Sequence, residues 1–392
     1  MSYSTRLAPS ILVQNLSAFA LITCLTCSLP AISSAEQNSP EQSNPNQTTA
    51  SLSNESADQM KTIFDKSQSF STIYEKELGK PRACNEDFKH GIKFCFDTLK
   101  NDGNAPFILL PTLSQNRLKP RGVVVLFHGL SDSPYFMSSI GEFLRSKGYI
   151  VIAPLTPGHG KIDANADMQD DNLKARWNQH TDQVMSFAMG LSKSDDLPLV
   201  IGGFSTGGAF ATQYTVNHPN QVAALLLFSG ALELSGAAES MSSIWGMKTI
   251  AKWLDGDYKT EGGHPYKYPS VASYSGLVLM DIIQDIRDDL DGKKISKPIF
   301  AAHSLADSTT LFSGIEWLTT KVKGQHTVFK IDESYDLCHA DVPISTVQIV
   351  NLKFDKSKVN ASEKCVVPKA NPLHGQMLLL LDTFLTENVA KT

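Results

Sequence analysis

The chain has 392 residues, of which 42% are hydrophobic, and its 35 basic and 40 acidic residues give a formal net charge of -5. This length and composition suit one large globular domain, or one domain with an inserted cap. Neither sign of charge forms a long run. The chain therefore lacks the basic face that a nucleic-acid backbone requires, and nucleic acid is not an expected partner.

The first 35 residues have the pattern of a secretory signal peptide. Arg6 supplies the positive end, residues 19–29 are largely apolar, and Ser33, Ser34 and Ala35 are small residues at the cleavage positions. We expect cleavage after Ala35 and a mature chain in the periplasm or outside the cell. A retained membrane anchor is disfavoured because it needs about 18 apolar residues, and the apolar segment of this leader is shorter. Lipidation of a cysteine in the leader is a minor alternative.

Outside the leader the chain has four cysteines, Cys84, Cys95, Cys338 and Cys365. Disulfides persist in the oxidising compartments that exported proteins reach. Of the three pairings, the local one, Cys84 with Cys95 and Cys338 with Cys365, asks least of the fold because each loop is short. Buried free thiols are the alternative.

Residues 36–59 are rich in Ser, Asn, Gln and Pro, which predicts a flexible linker. From residue 60 onward, apolar runs alternate with amphipathic segments, which is typical of a doubly wound α/β fold with a mostly parallel sheet. The predicted parallel strands are 123–127, 149–153, 197–201, 223–228, 298–302 and 327–331. The predicted helices are 138–147, 173–191, 209–218 and 311–322. Two leading segments, 91–99 and 106–110, are expected to form antiparallel strands.

The strongest chemical motif is Gly-Phe-Ser-Thr-Gly at 203–207, between a predicted strand and a predicted helix. This arrangement is typical of a nucleophile elbow, in which a sharp turn strains the serine backbone and exposes its hydroxyl. The flanking glycines leave room for the neighbouring strand and helix. Ser205 is therefore the predicted nucleophile.

A second motif, His128-Gly129-Leu130, stands at the end of the predicted strand 123–127. Acyl transfer needs backbone N–H groups directed at the developing oxyanion, one from this loop and one from the residue after the nucleophile. The predicted donors are Leu130 and Thr206. We interpret His128 as shaping the turn rather than acting as the catalytic base.

Together with Pro157-Gly158-His159-Gly160, these motifs resemble the α/β-hydrolase superfamily, particularly its branch of monoacylglycerol lipases, bacterial carboxylesterases and serine aminopeptidases. The resemblance covers roughly residues 122–385 and implies an α/β-hydrolase fold with a Ser-His-Asp triad. It places the triad acid at Asp307, just past the strand 298–302. A helix-capping role for this aspartate is the alternative.

Two histidines follow the last predicted strand, and either is a candidate base. We expect the base to be His339, because in this fold it usually lies on the loop directly after the last core strand. His374 opens the C-terminal helix, where a surface or capping role is simpler. The segment 347–354 looks like a strand within an insertion, which the Cys338–Cys365 disulfide would tie to the base.

Residues 234–294 interrupt the α/β alternation, and we interpret them as a helical cap inserted between core segments 60–233 and 295–392. Trp245 and Trp253 belong to an apolar stripe at helical spacing in this cap. We expect both rings to line an acyl pocket above the nucleophile, with simple packing inside the cap as the alternative.

The sequence therefore predicts an exported serine hydrolase that cleaves small-molecule or lipid carboxylic esters, such as acyl glycerols or lysophospholipids, through an acyl-enzyme. A serine aminopeptidase is one alternative, and it would need an acidic cap residue such as Glu239, Asp255 or Asp257. A catalytically silent binding protein is the other, but such a protein would be expected to have lost part of the site. No histidine spacing typical of a metal site occurs, so neither metal nor cofactor is expected.

Overall fold

A computed structural model describes residues 60–114, 118–236 and 246–389 of the chain. The predicted leader 1–35, the predicted linker 36–59 and Trp245 lie outside the described residues. All described residues belong to one structural unit. Within them, no helix combines the length and the apolar character that crossing a membrane would require.

An eight-stranded sheet runs through the described residues in the order β1-β2-β4-β3-β5-β6-β7-β8. Its strands are β1 Gly91–Lys93, β2 Phe107–Leu109, β3 Gly122–Phe127, β4 Tyr149–Ala153, β5 Leu199–Phe204, β6 Ala224–Phe228, β7 Ile299–Ser304 and β8 His326–Ile331. From β4 to β8 every pairing is parallel, whereas β1 and β2 pair in antiparallel fashion. The predicted mostly parallel sheet and its antiparallel leading strands are confirmed.

Helices cover both faces of this sheet. They are α1 Glu75–Leu78, α2 Ser138–Ser146, α3 Asn165–Met168, α4 Leu173–Ser194, α5 Thr206–Asn217, α6 Met247–Asp255, α7 Ser273–Asp289, α8 Phe312–Thr320, α9 Thr346–Asn351 and α10 His374–Asn388. Val123 and Val125 of β3 pack into one hydrophobic core, and Val124 and Leu126 pack into the other. Because successive strand residues face opposite sides, two-sided burial produces the near-continuous apolar runs from which the strands were predicted.

The predicted cap contains helices α6 and α7. Helix α7 packs against both α5, which follows the nucleophile elbow, and α6. A long connection, residues 256–272, joins the two cap helices and includes Lys267 and Tyr268, which contact the loop after β3. The cap therefore lies against the helix that begins directly after Ser205.

The predicted strand 347–354 is wrong, because residues Thr346–Asn351 form helix α9. Ser345 and Gln348 form a capping box at its start: the Gln348 N–H donates to Ser345 Oγ at 3.2 Å, and the Ser345 N–H donates to Gln348 Oε1 at 3.0 Å. These bonds satisfy backbone donors that a helix start leaves without partners. The gain outweighs the strand propensity of the β-branched residues in this segment.

Candidate active site

Ser205 occupies the sharp turn between β5 and α5. Its backbone has φ +54° and ψ -119°, a conformation that non-glycine residues rarely adopt. A Cβ on Gly203 would lie 2.3 Å from the carbonyl carbon of Gly207, and one on Gly207 would lie 2.2 Å from the carbonyl oxygen of Phe127. Both glycines are therefore required for the turn to fit between its neighbours.

His339 links this serine to a carboxylate. Ser205 Oγ lies 2.8 Å from His339 Nε2, and His339 Nδ1 lies 2.6 Å from Asp307 Oδ2. Because the carboxylate can only accept a hydrogen bond, the imidazole carries its proton on Nδ1, and its Nε2 accepts a hydrogen bond from the serine hydroxyl. The structure thus brings together the three residues predicted as the triad, from loops that follow β5, β7 and β8.

Asp307 is oriented by its own loop. Its Oδ1 accepts the backbone N–H groups of Thr309 at 2.9 Å and Thr310 at 3.1 Å, and its Oδ2 accepts the Thr310 hydroxyl at 3.0 Å. Burial alone would raise the pKa of this carboxyl, but its interactions with His339 and His303 and the hydrogen bond from Thr309 together offset burial and lower the pKa to about 2. Asp307 is therefore ionised at neutral pH. The cap of helix α8 is Leu311, so Asp307 does not cap that helix.

The predicted oxyanion donors lie beside the nucleophile. Leu130 is the second residue of a turn closed by the Asp132 N–H, which donates to Gly129 O at 3.2 Å. Thr206 is the first residue of α5, so no helix carbonyl can accept its N–H. Both residues line the same cavity as Ser205.

His128 holds this turn in place, as predicted. The Thr156 N–H donates to its Nε2 at 3.0 Å, and its Nδ1 lies 2.8 Å from Gly129 O. Burial holds the pKa of His128 well below its usual range, so the ring is neutral. Its contacts join the turn to the loop after β4.

A cavity of about 660 Å³ opens above the nucleophile, between the core and the cap. Leu277 and Met280 of α7, together with Val271 and Leu234, form its apolar wall. The charged side chains that line it in the described residues are Lys267, Lys364 and Asp132, and the imidazole of His339 lines it as well. The cavity can therefore hold an apolar group beside the reactive serine.

The expectation that Trp253 lines this cavity is wrong. Its side chain is 81% exposed on α6 and does not belong to the cavity wall. Ala251 is the buried residue of this helix, and a residue two positions further along points about 200° away from it around the helix axis. Trp245 lies outside the described residues.

The interpretation of His374 as a surface residue is also wrong. The side chain is buried at the start of α10, where its Nε2 lies 3.2 Å from both Ser139 Oγ and Pro343 O. Helix α2 and the loop before α9 cover it. These contacts give His374 a packing role, and neither of them involves Ser205.

Both short-loop disulfides are present, Cys84 with Cys95 and Cys338 with Cys365. The second one joins the residue directly before His339 to the insertion that follows α9, and both of its cysteines line the cavity. Ser304 at the end of β7 donates to Leu337 O at 2.7 Å, which is a second tie to the same loop.

The sequence analysis missed three residues of the site: His303, Lys267 and Asp132. His303 is fully buried, with its Nε2 3.7 Å from Asp307 Oδ2 and 3.0 Å from Thr310 O. Lys267 Nζ lies 2.7 Å from Oδ1 of Asp132, the last residue of the turn that carries Leu130. His303 could have been noticed four residues before the acid, but no local signal links Lys267 to a residue 135 positions earlier.

The comparisons with known proteins agree with this architecture. A family described as "Serine aminopeptidase, S33" matches residues 118–274. A soluble variant of monoglyceride lipase from Saccharomyces cerevisiae superposes with a TM-score of 0.53 at 13% identity, covering 77% of this chain and 99% of that one. Est1E from Butyrivibrio proteoclasticus gives a TM-score of 0.47 at 15% identity, covering 73% and 95% of the two chains. At 13% identity, the likeness to the monoglyceride lipase shows the fold alone. Among curated proteins, none matches the sequence significantly.

Proposed function

We propose that this chain is an exported serine hydrolase of the α/β-hydrolase superfamily that cleaves carboxylic esters. The observation that carries the proposal is the continuous hydrogen-bonded chain from Ser205 Oγ through His339 to Asp307, at the floor of a cavity with an apolar wall. Nucleophile, base and orienting carboxylate within hydrogen-bond reach are the parts that acyl transfer requires.

In this proposal Ser205 attacks the ester carbonyl while His339 takes its proton. The negative charge that develops on the carbonyl oxygen is stabilised by the N–H groups of Leu130 and Thr206. His339 then protonates the departing alcohol, which leaves an acyl-enzyme on Ser205, and the same imidazole activates the water that releases the acid. Asp307 stays ionised throughout and stabilises the imidazolium.

The serine aminopeptidase alternative is favoured by the description of the matching family, but the site lacks support for it. A free substrate amine needs an available carboxylate. Asp255 instead accepts the N–H groups of Ser273 and Tyr274 at the start of α7, at 2.8 and 3.1 Å. Asp257 is exposed, and Glu239 lies outside the described residues.

Asp132 is the other carboxylate to consider, since it lines the cavity. It already pairs with Lys267, and Lys364 on the same wall pairs with Asp336. Among the described residues of this wall, no carboxylate is therefore left to hold a substrate ammonium group. These charges support an ester substrate with an apolar acyl chain, such as an acyl glycerol or a lysophospholipid, over an aminoacyl substrate.

A panel of p-nitrophenyl esters of increasing acyl length, run beside aminoacyl p-nitroanilides, tests the proposal. We expect hydrolysis of the esters and none of the anilides. Ser205→Ala should keep the fold and lose turnover, because the change removes only the nucleophilic oxygen. Hydrolysis of the anilides alone, or labelling of a serine other than Ser205 by an organophosphonate, would overturn it.

Export is the second part of the proposal. It is supported by the leader pattern of residues 1–35 and by the two disulfides, which persist in oxidising compartments. The intact mass of the protein recovered from its native compartment should correspond to a chain beginning at Glu36. A mass that retains the leader, or a lipid on a leader cysteine, would contradict cleavage after Ala35.

A further inference from the structure

Two consecutive residues of a cap loop, Lys267 and Tyr268, contact the turn of residues 129–132, here called the oxyanion turn because it carries Leu130. Lys267 Nζ lies 2.7 Å from Asp132 Oδ1, and the N–H of the next residue, Tyr268, donates to Ser131 O at 2.7 Å. Ser131 and Asp132 are the last two residues of the turn that carries Leu130. The cap thus contacts the catalytic core within two residues of a proposed oxyanion donor.

The turn has features that require such support. Ser131 adopts φ +63°, in the left-handed region that costs free energy for a residue with a Cβ. The Asp132 carboxylate is 2% exposed, and a Cβ on Gly129 would lie 2.4 Å from its Oδ2. This carboxylate is therefore packed against the backbone of the turn, and a buried charge without a partner would be strongly unfavourable.

The cap loop is itself held firmly. The ring of Tyr266 stacks on Tyr135 with centroids 4.1 Å apart, and His264 stacks on Phe136 at 5.4 Å. On the far side, the Tyr268 hydroxyl accepts the N–H of residue 161 at 2.9 Å. Because these contacts fix the loop on both sides of Lys267, its ammonium group is a stationary partner for Asp132.

We propose that Lys267 is a positioning residue for the oxyanion hole: through its ion pair with Asp132, it holds the turn so that the Leu130 N–H points at the carbonyl oxygen of the substrate. This inference rests on the proposed ester hydrolysis. It makes the cap part of the catalytic machinery as well as a wall of the cavity. A residue that only contacts substrate would affect binding, whereas one that positions the oxyanion donor affects the transition state.

Kinetics of Lys267→Met on a short p-nitrophenyl ester test this role. We expect kcat to fall by about ten- to a hundredfold with KM changed less than about twofold, because a displacement near 1 Å of a catalytic group can cost about a hundredfold. Lys267→Arg should restore most of kcat. Asp132→Asn should lose a similar factor, and the double variant with Lys267→Met should be no slower than either single variant, since both remove one interaction.

Lys174→Met is the matched control. Lys174 also joins the core to the cap, with its Nζ 2.7 Å from Asp285 Oδ2, and its side chain is 34% exposed against 30% for Lys267. It does not line the cavity, so its kcat should equal that of the wild type. An equal loss in this control, or a raised KM with unchanged kcat in Lys267→Met, would overturn the proposal.

The rate at which an organophosphonate labels Ser205 separates this inference from the proposed function. Labelling also passes through an oxygen that the oxyanion donors stabilise, so Lys267→Met should slow it about tenfold or more. If the wild type is labelled yet hydrolyses no ester, the ester proposal fails while the role of Lys267 stands or falls on the labelling rate. Equal labelling rates, with thermal melting showing both proteins folded, would refute the role of Lys267.

Discussion

Removing the Cys338–Cys365 disulfide should lower both stability and turnover, whereas removing Cys84–Cys95 should lower stability alone. The first bond spans 27 residues and the second spans 11. Loop-closure entropy in the unfolded chain then gives about 3.5 and about 2.8 kcal/mol of stabilisation at room temperature. The two variants therefore lose similar stability, and they differ in distance from the site.

The loss of turnover follows from the position of the longer loop. Cys338 directly precedes His339. The insertion that carries Cys365 has further ties to this loop, including the Lys369 N–H, which donates to Asp341 Oδ1 at 2.9 Å, and Lys364 Nζ, which lies 2.7 Å from Asp336 Oδ1. These contacts remain when the disulfide is removed, so we expect His339 to shift by less than it would in an unsupported loop. We expect kcat to fall by roughly ten- to a hundredfold, given that a 1 Å displacement costs about a hundredfold.

The assay compares Cys338→Ala/Cys365→Ala with Cys84→Ala/Cys95→Ala. Urea midpoints report stability, and kcat on a short ester is measured well below the melting temperature of both variants. The cysteine pair near the base should show the lower kcat at similar midpoints. If both variants keep wild-type kcat, or if both lose it equally, the disulfide does not position the base.

Three further results are expected. His339→Ala should abolish turnover, while His374→Ala should keep kcat and lose about 1 to 3 kcal/mol of stability from its buried hydrogen bonds; a dead His374→Ala would reverse the assignment. Trp253→Ala should leave the preference among acyl lengths unchanged because the ring is 81% exposed, and a shifted preference would show that it reaches the cavity. Burial lowers the pKa of His159 to about 4 in the folded protein, whereas the pKa of a histidine in the unfolded chain is near 6.5. As pH falls, the unfolded chain therefore binds this proton first, and the free energy of unfolding decreases. His159→Phe should therefore weaken the loss of urea stability between pH 7 and pH 5, and an unchanged loss would exclude this contribution.

The sheet and the nucleophile were predictable because their signals are local. Strands such as β3 are buried on both faces, so nearly every residue in them must be apolar, and such a run is visible in the sequence. The elbow requires small residues at fixed positions around Ser205, which a motif records directly. Likewise, the positions of Asp307 and His339 follow from counting strands in a known chain order.

The cap resisted prediction because its contacts are long-range. The apolar stripe of α6 includes both Ala251 and Trp253, so the sequence could not say that Ala251 faces inward while Trp253 faces solvent. In α9, β-branched residues favoured a strand, and the capping box of Ser345 and Gln348 decided for a helix. The Asp132–Lys267 pair joins residues far apart in the chain and has no local signature at all.

The residues proposed to be catalytic are of two kinds, which differ in how they are held. Ser205 and Asp307 sit at or just past the ends of core strands, where the sheet fixes the backbone. His339 and Leu130 lie on loops, which are intrinsically more mobile. Each loop has a long-range tie beside the functional residue, a disulfide at Cys338 and an ion pair at Asp132. Because acyl transfer needs all four groups in register at once, the ties stand where the backbone alone provides the least order.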